Sequence, residues 1–146
     1  MGYEFESVKS ERAYVDAESM GCYVKVPADN ELFIDIDGPS SQGEKMMDWF
    51  AFNFSKIEEH IGGVITSDTP SQSGTPGRKH IVVSCNRKLE PMERILLQAV
   101  LGSDLQREAL SWVRLVNNDS KPTLFFEKKP LALPSADHLQ LEAKGI

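Results

Sequence analysis

Leu32-Phe33-Ile34-Asp35-Ile36-Asp37-Gly38 is an apolar run with two aspartates, one residue apart, near its end. A run this apolar reads as a buried strand, and buried strands do not ordinarily carry acids. Side chains alternate along a strand, so Phe33, Asp35 and Asp37 share one face and Ile34 and Ile36 the other. Two carboxylates about 7 Å apart on one face repel unless positive charge lies between or beside them. A divalent cation with oxygen ligands, Mg²⁺ or Mn²⁺, is the usual remedy. Turn chemistry at Asp37-Gly38-Pro39 accounts for Asp37 as a turn acid but leaves Asp35 unexplained.

Outward from this strand the pattern alternates between sheet and helix. Upstream, a short helix is expected at Ser10–Ser19 and a strand at Gly21–Val26, the latter at the edge of the sheet. Downstream, Met46, Phe50, Phe54, Ile57 and Ile61 recur at three- and four-residue steps, which predicts a helix over Glu44–Ile61 stopped by Gly62-Gly63. Strands follow at Val64–Ser67 and His80–Ser84. Pro91 opens a helix with Met92, Ile95, Leu96 and Ala99 on one face. Ser103 or Asp104 caps another, carrying Leu105, Ala109, Trp112 and Val113, and a last strand covers Thr123–Glu127. The expected fold class is α+β: a split βαβ (βαββαβ, RRM/ferredoxin-like) antiparallel sheet of about four strands with helices packed on one face. Residues 1–30 read as an N-terminal extension, 31–129 as the core and 130–146 as a tail.

A second chemical element lies between two of these strands. Thr69-Pro70-Ser71-Gln72-Ser73-Gly74-Thr75-Pro76-Gly77-Arg78-Lys79-His80 gathers hydroxyls, glycine amides and cations, the materials of a phosphate cradle. His80 starts an apolar strand and is positioned to donate to a phosphate oxygen, with Arg78 or Lys79 adding charge-assisted contacts. A polar hairpin loop facing water is the plainer account of the same residues. An acidic pair with a phosphate loop makes the parts list for phosphoryl or nucleotidyl transfer. Asp104 is the candidate third acid, and its competing role is an N-cap with capping-box spacing from Ser103 to Gln106.

Composition bounds these readings. The chain has 146 residues, 40% hydrophobic and 26% charged, as one domain with an adequate core would. No apolar run approaches the roughly 20 residues that cross a membrane, and the start lacks a secretion-leader pattern. Cys22 and Cys85 stand singly, without metal-binding spacing, so a reducing cytoplasmic setting is expected. The net charge of −6 disfavours a simple nucleic-acid binder. Its distribution is uneven: residues 1–77 hold 5 Lys/Arg against 14 Asp/Glu, a balance of −9, and residues 78–129 hold 10 against 6, a balance of +4.

The ordered set Ile34-Asp35-Ile36-Asp37, then Ser71-Gln72-Ser73-Gly74…His80, then Gly102-Ser103-Asp104 ahead of a helix with Arg114, resembles the archaeo-eukaryotic primase (primase-polymerase) superfamily, in particular its small phage-type members. Glu93–Asp104 also looks like the corresponding stretch of phage-encoded relatives. The resemblance implies a nucleotidyltransferase acting in DNA replication by a two-metal mechanism. Asp35, Asp37 and Asp104 would be the metal-binding catalytic acids for Mg²⁺ or Mn²⁺. Ser71, Ser73, Gly74, Arg78, Lys79, His80 and Arg114 would serve the nucleoside triphosphate, with DNA or RNA as template and no membrane partner. The chain departs from the family in its small size and in a longer spacing from Gly74 to His80. A minimal or inactive member would keep the same site without the reaction. Two other readings compete. Asp35-Ile36-Asp37-Gly38 is also close to the first motif of haloacid-dehalogenase-like metal-dependent phosphatases, although Pro39 stands where that family has threonine. A non-catalytic βαββαβ binding module is the third reading, and it would normally show aromatics on its sheet face.

Overall fold

The structure, a computed structural model, describes residues 4–36, 40–70 and 78–129, with the backbone alone for 40–44. Ten elements follow in order: α1 (Phe5–Val8), α2 (Ser10–Ser19), β1 (Cys22–Lys25), β2 (Glu31–Ile36), α3 (Ser40–Ile61), β3 (Val64–Pro70), β4 (Lys79–Ser84), α4 (Pro91–Val100), α5 (Leu105–Val116) and β5 (Phe125–Lys128).

The apolar run forms β2, and β4 pairs with it antiparallel, Phe33 opposite Val82 and Asp35 opposite His80. On its other side β4 pairs antiparallel with β3, giving the order β2-β4-β3. Because β4 is inserted between two strands joined through α3, β2-α3-β3 is a split βαβ unit, and the chain is α+β as its pattern implies. Leu32, Ile34 and Ile36 of β2 with Ile81 and Val83 of β4 build the core under α3, where Phe50 and Ile61 are buried with them. Met46, Phe54 and Ile57 complete the apolar stripe expected of this helix. The helix begins at Ser40, four residues before the expected start, taking Gly43 into its first turns.

The last strand differs from expectation. β5 does not extend the three-stranded sheet but pairs with β1 in a second, two-stranded sheet, Tyr23 opposite Glu127. The reason lies at the outer edge of β2, whose backbone groups are already taken. Arg94 Nε donates to the Glu31 carbonyl at 2.8 Å. The Phe33 N–H donates to Gln98 Oε1 at 2.7 Å and the Asp35 N–H to Ser103 Oγ at 3.0 Å. The Asp104 N–H closes the series by donating to the Asp35 carbonyl at 2.8 Å. An edge satisfied in this way offers no ladder to another strand. β5 lies instead over the Phe33 face, where Phe125 stacks on Phe33 at 4.4 Å. The strand near Tyr23 is therefore not an edge of the main sheet, and the helices do not all share one face with α3, since α5 reaches Asp35 on the opposite side.

This arrangement also turns α4 and α5 relative to the expected inner faces. In α4 the buried residues are Arg94, Ile95 and Gln98, while Met92 and Leu96 are exposed. In α5 they are Glu108, Ser111 and Arg114, while Leu105 and Trp112 are exposed. The polar sides turn inward because β2's edge and its acidic face need hydrogen-bonding partners. Residues 4–25 are built into the fold as well: Ser10 donates through its N–H and Oγ to the Asp119 carboxylate, and Arg114 Nε donates to the Val8 carbonyl. The tail 130–146 lies outside the described residues.

Candidate functional site

Register alone assembles the first pair. Asp35 and His80, 45 positions apart in sequence, are direct cross-strand partners and share the Phe33 face of the sheet. Asp35 is 6% exposed and His80 1% exposed. His80 Nε2 lies 3.6 Å from Asp35 Oδ1, and Nδ1 lies 3.1 Å from Glu127 Oε1. A carboxylate only accepts, so the Nδ1–H donates to Glu127. Phe125 stacks on the imidazole at 4.0 Å with the planes 5° apart, which fixes the ring between the two acids.

The positive charge beside Asp35 comes from α5. Arg107 Nε reaches Asp35 Oδ2 at 2.7 Å, with 30% of its side chain exposed. α5 is placed for this contact by the turn before it. Gly102 ends α4 with φ +91°, and a Cβ there would meet Trp49 Cδ1 at 2.9 Å, so only glycine makes this turn comfortably. The turn delivers Ser103 and Asp104 to the backbone of Asp35 and starts the helix whose first turn carries Arg107.

Asp104 joins the site through its backbone. Its carboxylate caps α5, accepting from the Gln106 N–H at 3.2 Å. Asp104 thus lies beside Asp35 in the fold, and its side chain serves the N-cap role. Arg114 is buried two turns further on, donating to the carbonyls of Val8 and Pro122. Lys79 opens β4 opposite Ile36, with its Nζ 3.4 Å from Asp68 Oδ1 at a partly exposed position. Arg78 immediately precedes it, half-buried. Asp37, Ser71, Ser73 and Gly74 lie outside the described residues. Even so, the register fixes where their segments attach: Ile36, Lys79 and Pro70 are neighbours across the three strands, so the 37–39 and 71–77 segments leave the same end of the sheet.

Among the described residues no three His, Cys, Asp or Glu side chains converge as a metal-binding group. Asp35 faces Arg107 and His80, and the described side chains do not complete a metal centre there.

Four polar residues that the sequence reading passed over, Gln98, Arg107, Glu108 and Glu127, complete the neighbourhood. Glu108 is buried, and its carboxylate accepts from Gln98 Nε2 at 3.0 and 3.1 Å. Burial, opposed by the hydrogen bonds from Gln98 and Ser103 and assisted by the charges of Asp35 and Asp104, pushes its pKa up to about 7. Gln98 thus bridges the β2 backbone to Glu108. A cavity of about 20 Å³, large enough for a single water, lies among Asp35, Arg107, Glu108 and Thr123. A far larger groove of about 580 Å³ runs between α1–α2 and residues 117–121, but none of the site residues lines it. Its polar groups pair among themselves, Ser10 with Asp119 and Lys121 with Tyr14. The signal for Glu127 was available: it alternates with Phe125 on one face of an apolar strand, as Asp35 does with Phe33. For Arg107 and Glu108 the signal was the stripe Arg107, Ser111, Arg114 at helical spacing, which reads equally well as a solvent face.

No protein-family model, no curated protein and no solved structure matches this chain.

Proposed function

We propose that this chain is a primase-polymerase-like nucleotidyltransferase domain, with its nucleotide site at the sheet end where β2 finishes and β4 begins. The observation that carries this reading is convergence on Asp35. The three sequence motifs that resemble the family are far apart in the chain, yet His80 pairs across from Asp35 and Asp104 is hydrogen-bonded to its carbonyl. Neither contact is required by helix or strand periodicity. The described strand ends from which the 37–39 and 71–77 segments leave, Ile36, Pro70 and Lys79, are neighbours across the sheet.

Under this reading Lys79, Arg78 and the 71–77 loop take the triphosphate, as exposed or half-buried cations beside a hydroxyl-rich loop can. His80 is a positioning residue: stacked on Phe125 and hydrogen-bonded to Glu127, it holds the Asp35 side of the site. Asp35 and Asp37 would be the acids offered to Mg²⁺ or Mn²⁺, although Asp35 already faces Arg107 and His80. Template DNA or RNA would lie over the basic segment 78–129. The phosphatase alternative requires a parallel succession of strands, and β2, β4 and β3 are antiparallel neighbours. The RNA-recognition form of the binding-module alternative needs exposed sheet aromatics, and Phe33 is buried under Phe125.

The test is triphosphate binding, followed by thermal shift and by incorporation of a labelled nucleotide on a primed template with Mn²⁺. Triphosphate-specific binding that Lys79→Ala with Arg78→Ala weakens about thirtyfold supports the reading, since each of the two charge-assisted contacts contributes on the order of 1 kcal/mol. Absence of triphosphate binding at millimolar concentration would sink it.

A further inference from the structure

The described residues leave a broad apolar surface uncovered on the outer side of α3 and α4. Trp49 and Phe52, one turn apart on α3, are 53% and 63% exposed. On α4, Met92, Leu96 and Val100 recur every fourth residue and are all exposed. The two rows join, since Trp49 Nε1 donates to the Val100 carbonyl at 3.0 Å and is thereby fixed at the surface. α3 ends beside Asn86, ahead of α4, so the two helices run antiparallel and Phe52 lies toward Leu96. The two rings alone leave on the order of 200 Å² in water. With the three aliphatic side chains the patch is roughly 400 Å², a size at which contiguous apolar surface reads as an interaction site. That is about half of what each partner contributes to a standard interface.

The charges around Phe52 say what covers it. Lys45 and Glu59 lie seven residues to either side, and Asp48 and Lys56 four residues to either side. All four are exposed, and helical geometry sets them within about 40° of the Phe52 direction. Each charge thus has its opposite at the same distance beyond the centre, so the stripe is complementary to itself run backwards. A two-fold axis demands that symmetry, and an unrelated partner does not. We propose that this face pairs with a second copy of the chain in an isologous dimer, α3 lying antiparallel on α3 with Phe52 at the two-fold axis. Lys45 then faces Glu59 of the second copy. Asp48 stands level with Lys56 of the second copy, within reach of the lysine's four-carbon stem. In the single chain Lys56 rests over its own Phe52 ring, its Nζ 5.2 Å from the centroid. The same axis sets α4 against α4 and covers Leu96 and Val100. Apolar burial supplies the affinity, and the charges set direction and register. Asp35 and His80 lie on the other face of the sheet from α3, so pairing leaves that site uncovered and stands apart from the nucleotidyltransferase reading.

Sedimentation equilibrium of the full chain between about 1 and 200 µM tests this. The wild-type mass is expected to rise from 16.3 kDa toward twice that value. Phe52→Glu sets two like charges together at the axis and is expected to weaken the dimer about a hundredfold. Should that change disturb α3, Leu96→Gln probes the same face from α4 and is expected to weaken the dimer about tenfold. Both substitutions are at exposed positions, so at concentrations where the chain is monomeric their circular dichroism and thermal midpoints stay at the wild-type values. Lys45→Glu alone is expected to weaken the dimer about tenfold, because symmetry repeats the broken pair. Lys45→Glu combined with Glu59→Lys restores it to within about threefold of wild type. A wild-type chain that stays at 16.3 kDa throughout overturns the proposal and leaves this face to a different protein. So does a dimer that Phe52→Glu and Leu96→Gln leave intact. A charge exchange that brings no rescue overturns the antiparallel pairing of α3, and the proposal with it.

Discussion

The two faces of the three-stranded sheet are built on opposite principles. Under α3, Leu32, Ile34, Ile36, Ile81 and Val83 meet Phe50 and Ile61 in an ordinary apolar core. On the other face the apolar cluster among the described residues is Phe33, Val82 and Phe125, and beside it lie Asp35, His80, Gln98, Glu108 and Arg107. The first face obtains its stability from area removed from water and tolerates any well-fitting apolar set. The second is held by hydrogen bonds and paired charges, in which removal of one member strands another. A domain needing only a stable sheet would gain little from the second kind of face, since buried polar networks cost more to satisfy than an apolar core.

The comparison predicts different responses to truncation. Ile34→Ala, at the centre of the apolar face, is expected to lower the unfolding free energy by about 4 kcal/mol, from lost transfer energy plus a cavity. Urea denaturation measures this directly, and a loss below about 1 kcal/mol would mean that the α3 face is not the main core.

Glu108→Gln should act in the other direction and only above a certain pH. The folded-state pKa of about 7 exceeds the ordinary 4.5, so the folded protein binds more protons than the unfolded chain between those values. Stability contributed by the neutral acid is therefore complete below about pH 4.5 and is lost as pH rises through 7. Removing the ionisable group abolishes this loss. At pH 8 the variant is expected to be up to about 3 kcal/mol more stable than wild type, with no pH-linked gain at pH 4. A stability difference that does not change between pH 4 and pH 8 would contradict the burial of this carboxylate. Gln98→Ala, which leaves the Phe33 N–H and the Glu108 carboxylate without this partner, is expected to cost about 2 kcal/mol. Its amide-exchange signature is more specific: protection should fall at Phe33 before it falls at Ile34.

The apolar face was legible because periodicity reports it. The α3 stripe and the alternation in β2 both predict their partners, and the split βαβ order follows from element types and connection lengths. Asp35, His80 and Asp104 were legible as an ordered set, though Asp104 enters through its N–H, which sequence patterns do not distinguish from its carboxylate. What was not legible is pairing between distant segments. Nothing local in Phe125–Lys128 says that it joins Cys22–Lys25 rather than Leu32–Ile36; that is decided by Arg94, Gln98 and Ser103 having already filled the edge of β2. The same closure turns polar residues of α4 and α5 inward, with Ile95 still buried among them, because a hydrophobicity rule assigns the inward face to leucine and not to glutamine.

That inversion supplies the smallest effect and the sharpest discrimination. Periodicity puts Leu96 on the inner face of α4, where replacement by a polar residue would cost several kcal/mol. In the structure Leu96 is 62% exposed and Gln98, two residues on, is fully buried. Leu96→Gln is therefore expected to change stability by less than about 0.5 kcal/mol, as exposed substitutions do. Arg94→Met, at a position a helical wheel would give to solvent, should cost more despite its apolar gain, since it strips the carbonyls of Glu31, Ala28 and Asp29 of their donor. The order of these two values, rather than either magnitude, is the measurement that matters. If Leu96→Gln proves the costlier, α4 is turned as its periodicity suggests, the edge of β2 is open, and the backbone tether that places Arg107 against Asp35 is lost with it.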